Sequence, residues 1–166
     1  MREVSLAILD VAQNSVDALA KLICISVLEK DGLLSFTVID DGCGMSADKL
    51  EMATKRGLSF KGSAGLGLAL LNEETAECGG EMKITSQESV GTTVFASYDM
   101  AKAKLGDLGA TFVTLVDEGY DVVLKVQRGE NIKRYDTREL KSSLGVAKLQ
   151  SLGALRLIRE DINQNN

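Results

Sequence analysis

The amino-acid sequence predicts an α+β protein, built as a two-layer α/β sandwich with its helices on one face of the sheet. Helical patterns alternate along the chain with β-rich runs, and the runs come in pairs joined by short turns. Short turns imply antiparallel pairing, which favours such a sandwich over a doubly wound parallel sheet. The 166 residues are 45% hydrophobic and 26% charged, a composition typical of a globular protein with a buried core.

The first part of the chain, residues 1–100, is predicted to form one domain with three helices and two strand pairs. The Asp31-Gly32 dipeptide is the clearest hairpin signal within it. The expected elements are, in order, a helix over residues 5–19 capped by Ser5, strands over 23–28 and 33–39, a helix over 46–53 capped by Ser46, a helix over 68–77, and strands over 82–86 and 93–98.

The rest of the chain, residues 101–166, is predicted to form a small mixed α+β extension. No motif in it points to a role. Its expected elements are a connector over residues 102–106, a helix over 107–116, strands over 121–127 and 133–135, and helices over 137–144 and 147–162.

Composition excludes several classes of function. The chain contains no histidine, which removes Ser-His-Asp catalysis and phosphoryl-histidine chemistry on this chain. A net charge of −5 argues against a nucleic-acid partner, because that binding requires a basic surface. Cys24, Cys43 and Cys78 are too far apart in sequence for a zinc motif. No apolar run is long enough to span a bilayer, so we expect a cytoplasmic protein without a membrane partner.

Asp10 and Asn14 lie four residues apart in the first predicted helix and therefore project from the same face. An amide oxygen is a suitable Mg²⁺ ligand, and a neighbouring carboxylate can act as a general base. The alternative is a solvated polar stripe on an amphipathic helix. Because nearly every other residue of this helix is apolar, we expect the stripe to face a cavity.

The segment Asp40-Asp41-Gly42-Cys43-Gly44-Met45 follows an apolar, β-rich run. A carboxylate at a strand end can accept a hydrogen bond from an exocyclic amine, and the glycines allow the backbone to pass close to a flat ring. The alternative is an ordinary glycine turn after a strand.

A third segment, residues 62–68, is glycine-rich and leads into a helix. The free amides and the positive dipole end of such a helix start favour phosphate binding. Lys55, Arg56 and Lys61 add positive charge in the preceding loop. The segment lacks the Lys-Ser/Thr of a Walker A motif and the spacing of a dinucleotide fingerprint, and its alternative is a flexible loop before a helix.

In their order along the chain, these segments resemble the four motifs of one nucleotide-binding superfamily. Residues 10–18 resemble its N box, residues 40–44 its first glycine box, residues 65–68 its second, and Gly91-Thr92 its last. Residues 9–98 are therefore similar to the GHKL, or Bergerat-fold, ATPases, which include gyrase-type topoisomerases, heat-shock chaperones, histidine kinases and MutL-like proteins. The whole chain is similar to small bacterial histidine-kinase-like ATP-binding proteins that lack phosphotransfer helices.

The resemblance implies ATP or ADP as the ligand and Mg²⁺ as its metal. At the base, the implied contacts are Asp40 to the adenine amine, Thr92 to the adenine side through its hydroxyl or a water, and Gly42, Gly44 and Met45 around the ring. At the phosphates, Asn14 would bind the Mg²⁺ between them, and they would accept from the amides of Gly65, Leu66, Gly67 and Leu68. Lys61 would belong to a mobile lid over residues 55–64.

One departure from the superfamily concerns hydrolysis. Members that hydrolyse ATP usually have Glu where this chain has Asp10, whose side chain is one methylene shorter. A misplacement of roughly 1 Å can lower a rate ~100-fold. The resemblance therefore implies Asp10 as the candidate general base, together with weak or no hydrolysis.

The implied function is a regulatory, ATP- and Mg-binding protein whose nucleotide state controls a protein partner, either another protein or a second copy of the chain. One alternative is a protein kinase, of serine or histidine type, that acts in trans like the anti-sigma kinases. The other alternative is a non-catalytic interaction module.

Overall fold

The computed structural model describes residues 1–55 and 64–165, with the backbone alone for residues 55 and 64–66. The strands in these residues are β1 (Arg2–Glu3), β2 (Leu22–Lys30), β3 (Leu33–Asp40), β4 (Met82–Gln87), β5 (Gly91–Asp99), β6 (Ala103–Lys104), β7 (Asp121–Arg128) and β8 (Asn131–Asp136). The helices are α1 (Val4–Asp17), α2 (Ala47–Lys55), α3 (Ala64–Glu77), α4 (Leu108–Thr114), α5 (Thr137–Leu144), α6 (Val146–Leu149) and α7 (Leu152–Asn163).

Six of the strands form one sheet in the order β4-β5-β3-β2-β7-β8, while β1 and β6 form a separate parallel pair. The two predicted hairpins of the first hundred residues are antiparallel, as expected. Asp31 and Gly32 both have positive φ, 53° and 78°, which suits a tight turn between strands.

One pairing at the middle of the sheet is not among the predicted hairpins. Strand β2 pairs with β7 in parallel, with Ile23 opposite Val122. A parallel pair is possible here because β7 reaches β2 by a long connection rather than by a turn. The fold class itself, an α+β sandwich of a sheet and a helical layer, is confirmed.

The core lies between the helices and one face of the sheet. Helices α1 and α3 contact this sheet, and every second residue of its four central strands is buried, as expected for a sheet covered on one side. The buried apolar residues of these four strands are Ile23, Ile25 and Val27 of β2, Leu34, Phe36 and Val38 of β3, Val94, Ala96 and Tyr98 of β5, and Val122, Leu124 and Val126 of β7.

Several element ends differ from the predictions. Helix α1 begins at Val4, and Ser5 is not its cap, since Ser5 is buried in the first turn and its amide donates to the carbonyl of Leu105 at 2.9 Å. Ser46 does cap α2 and accepts from the Lys49 amide at 3.3 Å. The helix predicted over residues 147–162 is divided into α6 and α7, because Ser151 caps a new helix start.

The residues after position 100 extend the same sheet and contact the first helix. Strands β7 and β8 continue the sheet beyond β2, and α4 contacts both α1 and α7. The Thr111 hydroxyl donates to the carbonyl of Ser5 at 2.9 Å. The division into residues 1–100 and 101–166 stays a prediction.

Across residues 1–55 and 64–165, none of the helices combines the length and the apolar character that a bilayer crossing requires.

Candidate functional site

A cleft lies beside α1, at the end of β3 that carries the predicted carboxylate. It brings together six of the predicted nucleotide-binding residues: Asn14, Asp40, Gly44, Met45, Leu68 and Thr92. Its other lining residues are Val11, Ser15, Asp17, Ala18, Cys43, Lys49, Ala53, Ile84 and Val94. Apolar walls with a few polar groups at one end are what a flat heteroaromatic base requires.

Asp40, the last residue of β3, is the polar centre of the cleft. Its Oδ1 accepts from the amide of Gly42 at 2.9 Å and from the amide of Thr92 at 3.3 Å. Its Oδ2 accepts from the hydroxyl of Ser15 at 2.6 Å. These donors come from α1, β5 and the turn after β3, so three separate elements fix the orientation of one carboxylate.

The turn after Asp40 depends on close backbone packing. Gly44 has a φ of 67°, and a Cβ atom there would overlap the carbonyl group of Gln87. At Gly42 a Cβ atom would lie 2.8 Å from the carbonyl oxygen of Ala18. The amide of Cys43 also donates to that Ala18 oxygen, at 2.8 Å. The glycines are thus required for the chain to pass between α1 and the β4–β5 turn.

A pair of hydroxyl groups, on the neighbouring strands β4 and β5, supports the cleft beside Asp40. The Ser86 hydroxyl accepts from the amide of Met45 at 2.8 Å. It also lies 2.8 Å from the Thr92 hydroxyl, a distance at which either oxygen can donate. Met45 and Thr92, both predicted from the sequence, are therefore held in place by Ser86.

Asn14 lies where this cleft meets a second cavity, since its side chain lines both. Its side-chain amide has no hydrogen-bond partner among the described residues and is half-buried. An amide oxygen in this position could hold a metal ion.

The second cavity contains Asp10 and is strongly acidic. Its lining residues are Arg2, Ala7, Asp10, Val11, Asn14, Gly67, Leu70, Leu71, Glu73, Glu74 and Glu77. Arg2 forms ion pairs with Glu74 at 3.4 Å and with Glu77 at 3.1 Å. Burial raises the pKa of Asp10, as it also raises the pKa of Glu74. A raised pKa makes Asp10 a better proton acceptor at neutral pH than an ordinary aspartate.

The glycine-rich segment lies at the beginning of α3. Gly65, Leu66 and Gly67 are inside the first turn of this helix rather than before it, because the helix begins at Ala64. The first amides of a helix have no partner within the helix, so those of residues 65–68 remain suited to phosphate. Lys61 and most of the lid predicted over residues 55–64 lie outside the described residues.

The donor set at the junction of the two cavities suits a hydrated magnesium ion bound to phosphate. Within residues 1–55 and 64–165, no group of three or more His, Cys, Asp or Glu side chains is placed to hold a metal. Mg²⁺ commonly keeps several waters and takes one or two protein ligands together with substrate phosphates. Asn14 fits that pattern.

Two residues of the site carry no signal in the sequence. Ser15 lies in the segment that resembles the N box, but its bond to Asp40 joins residues 25 positions apart. Ser86 is an ordinary serine in a strand, and its contact with Met45 spans 41 positions. Only the fold brings these hydroxyl groups to the cleft.

Comparison with known proteins agrees with this geometry. Residues 2–102 match the model of the family described as histidine kinase-, DNA gyrase B-, and HSP90-like ATPase. The sensor histidine kinase DcuS of Escherichia coli strain K12 is 34% identical over 74 residues, which are 44% of this chain and 14% of DcuS. The DNA mismatch repair protein MutL of Rhizorhabdus wittichii is 40% identical over 55 residues, which are 33% of this chain and 9% of MutL.

A solved structure, the N-terminal domain of a DNA repair protein, shares the fold, with a TM-score of 0.59 and 14% identity over 93% of this chain and 58% of that one. The matched residues make up 14% of DcuS and 9% of MutL, so this chain spans a small part of the length of these two relatives. Its match to the family model covers more than half of its own length, and the chain belongs to the histidine kinase-, DNA gyrase B- and HSP90-like ATPase family.

Proposed function

We propose that this protein is a regulatory module that binds ATP with Mg²⁺, and that its nucleotide state controls a protein partner or a second copy of the chain. Family membership supports ATP binding. The observation that carries the proposal is the fixed carboxylate of Asp40 at the end of an apolar cleft. In this proposal Asp40 accepts from the adenine amine.

The remaining nucleotide contacts follow from the same placement. The ring lies between Met45 and the apolar residues of α1, and Thr92 reaches it through its hydroxyl or a water. The phosphates extend toward Asn14 and the first turn of α3, where the amides of residues 65–68 receive them, with Lys61 from the lid. Mg²⁺, when bound, neutralises phosphate charge, and Asn14 would hold it.

Hydrolysis is proposed to be weak or absent. Asp10 lies in the cavity next to Asn14, but its side chain is a methylene shorter than the glutamate that hydrolysing relatives carry.

Control of a partner is proposed because α1, the helix that carries Asn14, is hydrogen-bonded to residues after position 100. Helix α1 carries Asn14 and Ser15 near its end, while its first turn is bonded to Leu105 and Thr111. A ligand that shifts α1 would therefore act directly on the region around α4.

A second candidate function is a protein kinase that acts in trans. The similarity to a sensor histidine kinase favours it. Because this chain has no histidine, the acceptor of the phosphoryl group would have to belong to another protein.

The test is a calorimetric titration of the full chain with MgATP, compared with the variants Asp40→Asn and Asp41→Asn. Asp40→Asn places the NH2 group of an amide, which donates, opposite the adenine amine, which also donates. We expect the affinity of this variant for MgATP to fall at least ~10-fold. Asp41 is the matched control, because its carboxylate accepts from the amides of Lys21 and Leu22 and an asparagine oxygen can do the same.

Equal affinities in Asp40→Asn and the unaltered chain would overturn the proposal, as would no binding at millimolar nucleotide. Phosphate release measured in the same samples tests the hydrolysis part, for which we expect MgATP to remain largely intact. Phosphoryl transfer to an added protein would favour the kinase instead.

A further inference from the structure

The six-stranded sheet ends in two edge strands, β4 and β8. An edge strand presents backbone N–H and C=O groups that no neighbouring strand uses, and natural proteins commonly protect such an edge with charged side chains, a proline or a bulge. The two edges of this sheet differ in that protection. Strand β8 carries Lys133 and Arg134 at its centre, whereas the one charged residue of β4 is Lys83, near its beginning.

The outer edge of β4 is formed by the backbone groups of Met82, Ile84 and Ser86. The amide of Ser97 donates to the carbonyl of Glu81 at 2.9 Å. Because the hydrogen-bonding direction alternates along a strand, the odd-numbered residues of β4 face β5 and the even-numbered residues face away from the sheet. In the part of the chain that the structure describes, the backbone groups of these three residues have no hydrogen-bond partner.

This edge is complementary to its own copy. Antiparallel pairing around a two-fold axis at Ile84 places Ile84 opposite its counterpart and Met82 opposite Ser86. All three outward-facing residues are then hydrogen-bonded, whereas a register centred on Thr85 uses only two of them. Lys83 lies opposite Thr85 in the first register, so no like charges face each other across the pair.

The same pairing is unfavourable for β8. The two registers that overlap most of this strand with its copy place Lys133 opposite Lys133 or Arg134 opposite Arg134, and like charges directly opposite each other are destabilising. A sheet with one self-complementary edge and one self-repelling edge forms a closed, two-fold dimer rather than an open array.

We propose that the edge of β4 is an interface with a second copy of this chain, in which two β4 strands pair antiparallel and join the two sheets. The interface adjoins the cleft, because Ile84 lines the cleft and the Ser86 hydroxyl accepts from the amide of Met45. The inference goes beyond the proposed nucleotide binding and does not depend on it. It is therefore tested without nucleotide, and its failure would leave the proposed function intact.

Sedimentation of the full chain measures the dimer directly. We expect a monomer–dimer equilibrium in which the dimer dominates at ~100 µM. Thr85→Lys places a lysine opposite Lys83 at two symmetric positions and should weaken dimerisation at least ~10-fold. Thr85 is exposed and outside the cleft, so the variant should keep its fold. Gln150→Lys is the matched control, because it adds the same charge at an exposed residue after α6, and it should dimerise like the unaltered chain.

A charge exchange tests the register. Adding Lys83→Glu to Thr85→Lys places opposite charges across both symmetric pairs, and this double variant should dimerise nearly as well as the unaltered chain. A double variant that stays as weak as Thr85→Lys would overturn the proposed pairing. The same conclusion would follow if the unaltered chain were monomeric at ~500 µM, or if Thr85→Lys left dimerisation unchanged.

Hydrogen exchange provides a measurement that needs no variant. In the dimer the amides of Met82, Ile84 and Ser86 are hydrogen-bonded, so their exchange should slow at least ~10-fold between ~5 µM and ~500 µM protein. The outward-facing amides of Ile132 and Arg134 on β8 are the matched control and should exchange at the same rate at both concentrations. Exchange of the β4 amides that does not depend on concentration would contradict the inference.

Discussion

At the residue scale, the base end of the cleft is determined by backbone atoms that approach one another closely. Gly44 faces the carbonyl of Gln87, and Gly91 faces the carbonyl of Asp40; a Cβ atom at either position would overlap that carbonyl. The turn after β3 and the turn before β5 therefore fit together without any side chain between them, which places Asp40 and Thr92 within hydrogen-bond distance.

Gly44→Ala is expected to destabilise the protein by at least ~3 kcal/mol, because it combines a positive φ with direct overlap of the Gln87 carbonyl. The matched control is Gly32→Ala. Gly32 also has a positive φ, of 78°, but nothing lies within 4 Å of a Cβ atom there. That variant should lose only about 1–2 kcal/mol. Urea denaturation measures the free energy of unfolding of both variants. A similar loss of stability in the two would contradict the prediction, because it would show that the overlap at Gly44 is relieved.

Single residues of the site differ in how far the sequence predicts them. Asp40 and Gly44 can be predicted because a carboxylate and glycines at a strand end form a local pattern. Asn14 can be predicted because helical spacing places it on the face of Asp10. Ser15 and Ser86 cannot, because their roles depend on partners that only tertiary contacts bring near.

At the scale of elements, α4 and α7 are joined through one carboxylate. Asp107 caps α4 by accepting from the amide of Ala110 at 2.8 Å and accepts from the side chain of Asn163 at 2.7 Å. Arg159 forms an ion pair with the same carboxylate. Hydrogen bonding from Arg159, with smaller contributions from the other two donors, lowers the pKa of Asp107 to about 2.

Asp107 should therefore give the stability a specific pH dependence. Its folded pKa is below its unfolded value, so the ionised form stabilises the fold above about pH 4, and this contribution is lost as the pH falls toward 2. Asp107→Asn keeps a capping oxygen but cannot ionise. We expect the difference in free energy of unfolding between the two proteins to shrink between pH 4 and pH 2 in denaturation curves.

Arg159→Gln provides the check on this prediction. Because it removes the cation that lowers the pKa of Asp107, it should shrink the same pH dependence, and the double variant should add little more. A difference that stays constant from pH 4 to pH 2 would contradict the prediction.

Elements with a local signal are present where the sequence predicts them. Pairs of strands that are distant in sequence are present too, but the sequence does not predict them. The Asp31-Gly32 turn and the pattern of α1 are examples of the first kind. The parallel pairs β1–β6 and β2–β7 belong to the second, since a two-residue strand has no periodicity and a distant partner leaves no local pattern. The Ser151 cap cannot be predicted from the sequence, because the apolar spacing continues across it.

At the scale of the whole molecule, β2 lies inside the sheet because of residues that follow much later in the chain. One of its edges pairs with β3 and the other with β7. A chain that ends at Asp99 contains the family motifs but not β7. Its β2 edge would present unpaired backbone groups, which promote association between chains.

We therefore expect a chain of residues 1–99 to be less stable than the full chain and to self-associate at micromolar concentration, where sedimentation and thermal unfolding can be compared directly. A control that ends at residue 150 retains β7 and β8 and should stay closer to the full chain. A monomeric 1–99 chain with the melting temperature of the full protein would support independent folding of residues 1–100 instead.

The late arrival of β7 also matters while the protein is being made. A ribosome releases residues 22–30 long before residues 121–128. Once β3 has also emerged, β2 can pair with it along one edge, but its other edge stays bare until β7 is made. That bare edge belongs to a strand whose buried residues are Ile23, Ile25 and Val27. Throughout the intervening synthesis, the nascent chain is thus a ready substrate for chaperones that bind exposed apolar strands.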